Sequence, residues 1–185
     1  MTDVASRLSA LSDEKRKLLE ARLRMARQGA AAAGPELRPR ERPDGTAPLS
    51  FAQQRLWLID RMNPGAATWN VVFPLRLRGA LDVPALERAL NALRERHESL
   101  RTTFAERDGG AVQVIHPFAR VPLEVDDLSA LGPGARDAEV ERRAAMDANT
   151  GFDLEAGPLF RARLLRLERD EHVLLLCMHH VVGDG

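Results

Sequence analysis

The chain reads as a mixed α/β protein, an α+β sandwich, on three observations. Leu159 to Leu167 and His172 to His179 are two apolar strands around the polar turn Glu168-Arg169-Asp170-Glu171. Two other segments, Asp82 to His97 and Ala135 to Asn149, are amphipathic at helical spacing. Helical and strand patterns interleave along the chain without an internal repeat, as expected for one compact core.

Composition bounds the function. The chain has 185 residues, enough for one ordinary domain or one lobe of a larger one. Hydrophobic residues are 44%, sufficient for a real core. Lys+Arg and Asp+Glu are 27 each, so no basic field points to nucleic acid or to an acidic membrane. A single cysteine, Cys177, excludes a disulfide within the chain and fits a reducing cytoplasm. Met1 to Ser12 has no apolar run of the signal-peptide kind, and no segment is long enough to span a bilayer.

The elements follow in order. Residues 1–28 read as a helical segment, with Ser12 as N-cap, Asp13 and Glu14 in the first turn, and Leu19, Leu23 and Ala26 as a stripe. It is either a solvated helix or a docking element for another polypeptide. Residues 29–47, rich in Ala, Pro and Gly, read as a linker, and the main fold begins near Pro48. Ser50 caps a helix that Asn63-Pro64-Gly65 ends. Trp69 to Arg78 is β-rich, and Pro74 marks it as an edge strand or a bulge.

Asp82 then caps a strong helix with Pro84 in its first turn. Leu86, Leu90, Leu93 and His97 share one face of it. Arg101 to Ala105 and Val112 to His116 form a hairpin around Asp108-Gly109-Gly110. Val121 to Val125 is a further short strand. The helix Ala135 to Asn149 ends at Thr150-Gly151-Phe152-Asp153, ahead of the two apolar strands.

The C-terminal strand delivers the chemistry. His179 and His180 sit at its end, before Gly183-Asp184-Gly185. Histidine is the side chain whose ordinary pKa lies nearest neutral pH, and a buried strand aims it rigidly. Neighbours on a strand face opposite ways, so the two histidines serve different surroundings. Leu175, Cys177 and His179 share one face; Leu174, Leu176, Met178 and His180 share the other. That alternation argues against a zinc site using both histidines, and nothing supplies further ligands beside Cys177. No phosphate-cradling glycine loop, nucleophile elbow or paired carboxylate competes.

The ending His179-His180-Val181-Val182-Gly183-Asp184-Gly185 resembles the His-His-x-x-x-Asp-Gly signature of nonribosomal peptide synthetase condensation domains. Ser50 to Leu58 looks like the first core motif of that family, and Arg96 to Phe104 like the second. The three occur in the family's order over 48–185. The resemblance implies a chloramphenicol-acetyltransferase-like lobe, the N-terminal half of a condensation domain, with the C-terminal lobe outside the sequence and the chain inactive by itself.

The resemblance also implies a reaction. The amine of a carrier-bound aminoacyl thioester attacks a carrier-bound acyl or peptidyl thioester, and an amide forms. His180 would orient or deprotonate the amine, or stabilise the tetrahedral intermediate. His179 would be structural. Asp184 would hold the loop through an arginine, with Arg55 and Arg101 as candidates and the other lobe as a further source. Gly185 would allow close packing. Gly183 stands where serine is common in the family and would loosen the loop slightly without abolishing chemistry. The histidines argue against the heterocyclising branch, and the wording of Arg96 to Phe104 resembles the branch that joins two L-configured residues.

No cofactor would bind directly, because substrates arrive on the phosphopantetheine arms of carrier proteins. The implied partners are donor and acceptor peptidyl carriers, an adenylation domain further along the chain, and an upstream synthetase subunit at residues 1–28. Nucleic acid and membrane are not among them. Two alternatives remain: an N-terminal docking fragment of a synthetase subunit, and a compact trimeric CoA-dependent acyltransferase.

Overall fold

The computed structural model describes Arg42 and residues 44–183. The expected helix over 1–28, most of the expected linker, and Asp184 and Gly185 lie outside the described residues. The fold begins slightly earlier than expected. Thr46 and Ala47, read as linker, form strand β1 (Thr46–Pro48) with Pro48. Asp44 starts it by accepting from the Thr46 N–H and hydroxyl, which lowers its own pKa.

Helix α1 (Phe51–Met62) carries a complete capping box. Ser50 Oγ accepts from the Gln53 N–H at 3.2 Å, and Gln53 Oε1 accepts from the Ser50 N–H at 2.8 Å. Strand β2 (Asn70–Arg78) follows, and then α2 (Val83–Arg96), capped by Asp82 as expected. Strands β3 (Thr102–Arg107) and β4 (Gly110–Ile115) form the expected hairpin. Asp108 and Gly109 both have positive φ, 51° and 77°, as a two-residue turn matched to strand twist requires. Strand β5 (Glu124–Asp127), helix α3 (Pro133–Asn149) and strands β6 (Phe160–Glu168) and β7 (Glu171–His179) complete the chain.

Two sheets result. One is three-stranded, in the order β1-β4-β3. The other is four-stranded, in the order β2-β7-β6-β5, with β5 and β6 parallel and joined through α3. Strand β2 is an edge, which is where Pro74 is tolerated. The two central strands of the larger sheet, β7 and β6, are covered on both faces. Val173 and Leu175 of β7 pack with Leu165 and Leu167 against Val140 and Ala144 of α3. Leu174 and Leu164 pack with Leu123 against Leu86 and Leu90 of α2. The alternation read along β7 is therefore the alternation between two helical layers.

Two local expectations are corrected. The apolar face of α2 does not continue through Leu93 and His97: Leu93 is half-exposed and His97 is an exposed C-cap. The buried stripe turns instead through Asn91. Its side chain donates to the Val121 carbonyl and accepts from the Val121 N–H, both at 2.9 Å, while Glu87 accepts from the Leu123 N–H at 3.0 Å. The second correction follows from the first. Side chains of α2 hold the backbone at 121 and 123, so β5 begins at Glu124 rather than Val121.

Candidate functional site

Strand β7 ends on His179, and a 3-10 turn (His180–Val182) follows at once. Val181 and Val182 are buried with Leu49, Phe104, Phe152, Leu154 and Leu159, so the turn is anchored by its own apolar residues. Gln53 of α1 reaches across and donates to the Val181 carbonyl at 3.3 Å. The helix of the first motif thereby supports the histidine turn.

The two histidines have separate surroundings, but not through strand alternation: β7 ends at His179, and His180, read as the next strand position, opens the 3-10 turn instead. His179 is 1% exposed. Its ring meets Phe152 edge-on, 6.3 Å between centroids, and its Nδ1 accepts from the Val181 N–H at 3.1 Å. Burial, and secondarily the neighbouring His180, pushes its pKa down to about 4. It is a neutral ring that completes a turn. His180 is half-buried beside Trp69, 6.2 Å between ring centroids. Its Nδ1 donates to the Gly183 carbonyl at 2.8 Å. A neutral His180 then carries its proton on Nδ1 and presents Nε2 as a lone-pair acceptor, the tautomer a general base needs.

A supporting layer lies behind His179, and the sequence reading did not find it. The Arg161 guanidinium stacks 3.9 Å from the Phe152 ring centroid and donates to the Thr150 carbonyl at 2.6 Å. Asp153 caps the following turn by accepting from the Glu155 and Ala156 N–H groups, each at 2.9 Å. Asn70 pairs with His179 in the sheet and donates to the carbonyls of Asp147, Ala148 and Thr150 at the end of α3. Cys177 is buried and burial raises its thiol pKa, consistent with a small apolar residue.

The arginines proposed as partners of Asp184 have these positions. Arg101 donates to the His116 carbonyl and lies 3.7 Å from Glu98. Arg55 is exposed on α1. Of the second motif, Phe104 is 1% exposed and donates its N–H to the Leu154 carbonyl at 2.8 Å, an architectural role. No helix among the described residues is long and apolar enough to cross a membrane.

A histidine turn on a layered α/β lobe, with one ring buried and the other presenting Nε2, is the candidate site. Comparison with known proteins narrows it. The condensation-domain family model matches residues 44–185, and the chain belongs to that family. It is 51% identical over 142 residues to a linear gramicidin synthase of Brevibacillus parabrevis, covering 77% of this chain and 2% of that protein. It is 44% identical over 187 residues to phosphinothricin tripeptide synthetase PhsC of Streptomyces viridochromogenes, covering 100% of this chain and 17% of that one.

Among solved structures, the starter condensation domain of rhizomide synthetase RzmA superposes with TM-score 0.67 at 27% identity, covering 76% of this chain and 33% of that one. The X-domain bound to OxyB from teicoplanin biosynthesis gives TM-score 0.67 at 34% identity, covering 80% and 31%. The fold is thus the chloramphenicol-acetyltransferase-like fold of condensation domains, and the chain spans about a third of such a structure.

Proposed function

We propose that this chain supplies the histidine-bearing N-terminal lobe of a condensation domain that forms an amide between two carrier-bound substrates. The observation that carries this is the His180 Nδ1–Gly183 contact, which leaves Nε2 free to accept. In the proposed reaction the acceptor amine attacks the donor thioester carbonyl. The amine proton passes to Nε2 of His180, the carbon–sulfur bond breaks as the amide forms, and that proton is handed on to the departing sulfur, which leaves as the thiol of the donor arm. If proton removal limits the rate, loss of His180 lowers it roughly 10²–10⁴-fold. His179 serves as scaffold; by the resemblance, Asp184 would hold the loop through an arginine and Gly185 would allow close packing.

Substrates would come on phosphopantetheine arms of donor and acceptor carriers in the cytoplasm, with an adenylation domain loading the acceptor. Residues 1–28 would dock an upstream subunit, and their deletion would weaken that association while sparing the chemistry. The direct test follows amide product by intact-protein mass spectrometry, using the whole natural polypeptide with loaded carriers. A sharp loss in His180→Ala supports the assignment; equal product in both proteins removes His180 from the chemistry.

A further inference from the structure

We propose that the cleft between the C-terminal end of α2, the loop after β4 and the turn at 156–159 binds a small organic anion: an oxyanion head on an apolar stem. Arg94 and Arg101 would receive the head. The cleft holds about 260 Å³, below the usual range for drug-sized ligands. Leu100, Phe118, Pro158 and Leu159 give it apolar walls, and no carboxylate lines it.

Its hydroxyl and imidazole groups are paired, but its arginines keep donors without acceptors. Nε and Nη1 of Arg94 and Nε of Arg101 are buried and unpartnered. A buried N–H of a charged group left unmade is costly, so such groups ordinarily have acceptors. Arg101 is partly compensated by the His116 carbonyl and Glu98. Arg94 forms no ion pair among the described residues, and burial lowers its pKa with no neighbouring charge to oppose that. Glu87, Glu124 and Asp147 line the cavity on its other side, but Glu87 already accepts from the Leu123 N–H and Glu124 pairs with Arg163 at 3.0 Å. His116 fixes the loop by pairing its Nε2 with the Thr103 hydroxyl at 2.8 Å. Two guanidinium groups beside an apolar wall fit the planar, two-oxygen geometry of a carboxylate or a phosphate ester. The inference is independent of the condensation reading.

The test is calorimetric titration of the whole natural polypeptide at constant ionic strength, with hexanoate against hexanol and phosphopantetheine against pantetheine. The site predicts that at least one anion binds about tenfold or more tightly than its neutral counterpart. Binding by phosphopantetheine alone identifies a phosphate ester, and binding by hexanoate alone a carboxylate. Arg94→Met should abolish the preference. Arg94→Lys, which keeps the charge but not the fork, should weaken it several-fold. Neutral and anionic probes binding alike, neither anion binding, or an unchanged preference in both variants overturns the proposal.

Discussion

His180 donates through Nδ1 to the carbonyl of Gly183 at 2.8 Å, a bond that closes the 3-10 turn on its own histidine. A ring held this way cannot exchange its two nitrogens by flipping without losing the contact. The backbone of residue 183 therefore determines how the candidate base is aimed.

This predicts how position 183 responds to substitution. Gly183 has φ −148° and ψ 135°, extended values that any ordinary residue adopts. A Cβ there would lie 2.7 Å from Met178 Sδ, the flexible end of a side chain. Gly183→Ala and Gly183→Ser should cost under about 1.5 kcal/mol, because Met178 can turn aside. Gly183→Pro cannot reach φ −148° and shifts the carbonyl. Its amide-forming rate should fall on the order of 10²-fold while the fold survives. Single-turnover product formation with melting curves separates the two effects. The structure also qualifies the expectation that glycine merely loosens this loop, since its small size accommodates Met178 as well.

Asn70 links the edge strand to the helix that backs the site. Its Nδ2 serves three carbonyls at the C-terminal end of α3, at 3.3, 3.1 and 2.9 Å. Asn70→Ala should destabilise by about 1–3 kcal/mol. Asn70→Asp should cost more, because a carboxylate then faces carbonyl oxygens at the negative end of a helix dipole. Denaturant unfolding of the two variants checks the order, and equal destabilisation would refute the dipole argument.

The sequence was most legible where local rules and tertiary packing agree. Ser50 and Asp82 cap helices because the backbone N–H groups they satisfy are each three residues away. Pro74 lies on an edge strand, and β7 alternates between two helical layers. Legibility failed where a polar side chain substitutes for backbone pairing. Nothing in the spacing of α2 announces that Asn91 will be buried to hold Val121 thirty positions along. Likewise His179 and His180 stand out as a motif, whereas Phe152 reaches His179 from a loop and Arg161 is brought over Phe152 by its pairing with Cys177 in the sheet. The aromatic and arginine flanking Gly157-Pro158 were the available signal, and it is a weak one.

His179 makes the lobe acid-sensitive. Its pKa falls from an ordinary 6.5 to about 4, so the unfolded chain takes up a proton before the folded one does. The stability this neutral ring contributes is complete above pH 6.5 and is lost as pH falls toward 4. The loss is at most about 3 kcal/mol. His179→Gln removes the titration, so its stability should change less than the wild type's between those limits. Parallel pH-dependent unfolding curves in the two proteins would show that another group is responsible.

Gly65 and Gly151 meet backbone to backbone, and each is glycine for a different reason. A Cβ on Gly151 would lie 1.7 Å from the Gly65 carbonyl oxygen, with no flexible side chain to give way. Gly65 has open space around it but a φ of +70°. Its own N–H donates to Asp60 at 3.3 Å, which fixes the loop that makes the contact. Gly151→Ala must therefore push apart the loop after α1 and the segment that places Phe152 against His179. It should cost more than about 3 kcal/mol and lower amide formation with it. Gly65→Ala is strained only by its own backbone and should cost about 1–2 kcal/mol, with the chemistry largely retained. Unfolding free energies and turnover measured on both variants test the asymmetry; equal costs would mean that the loop yields and that close approach at Gly151 is not what secures His179.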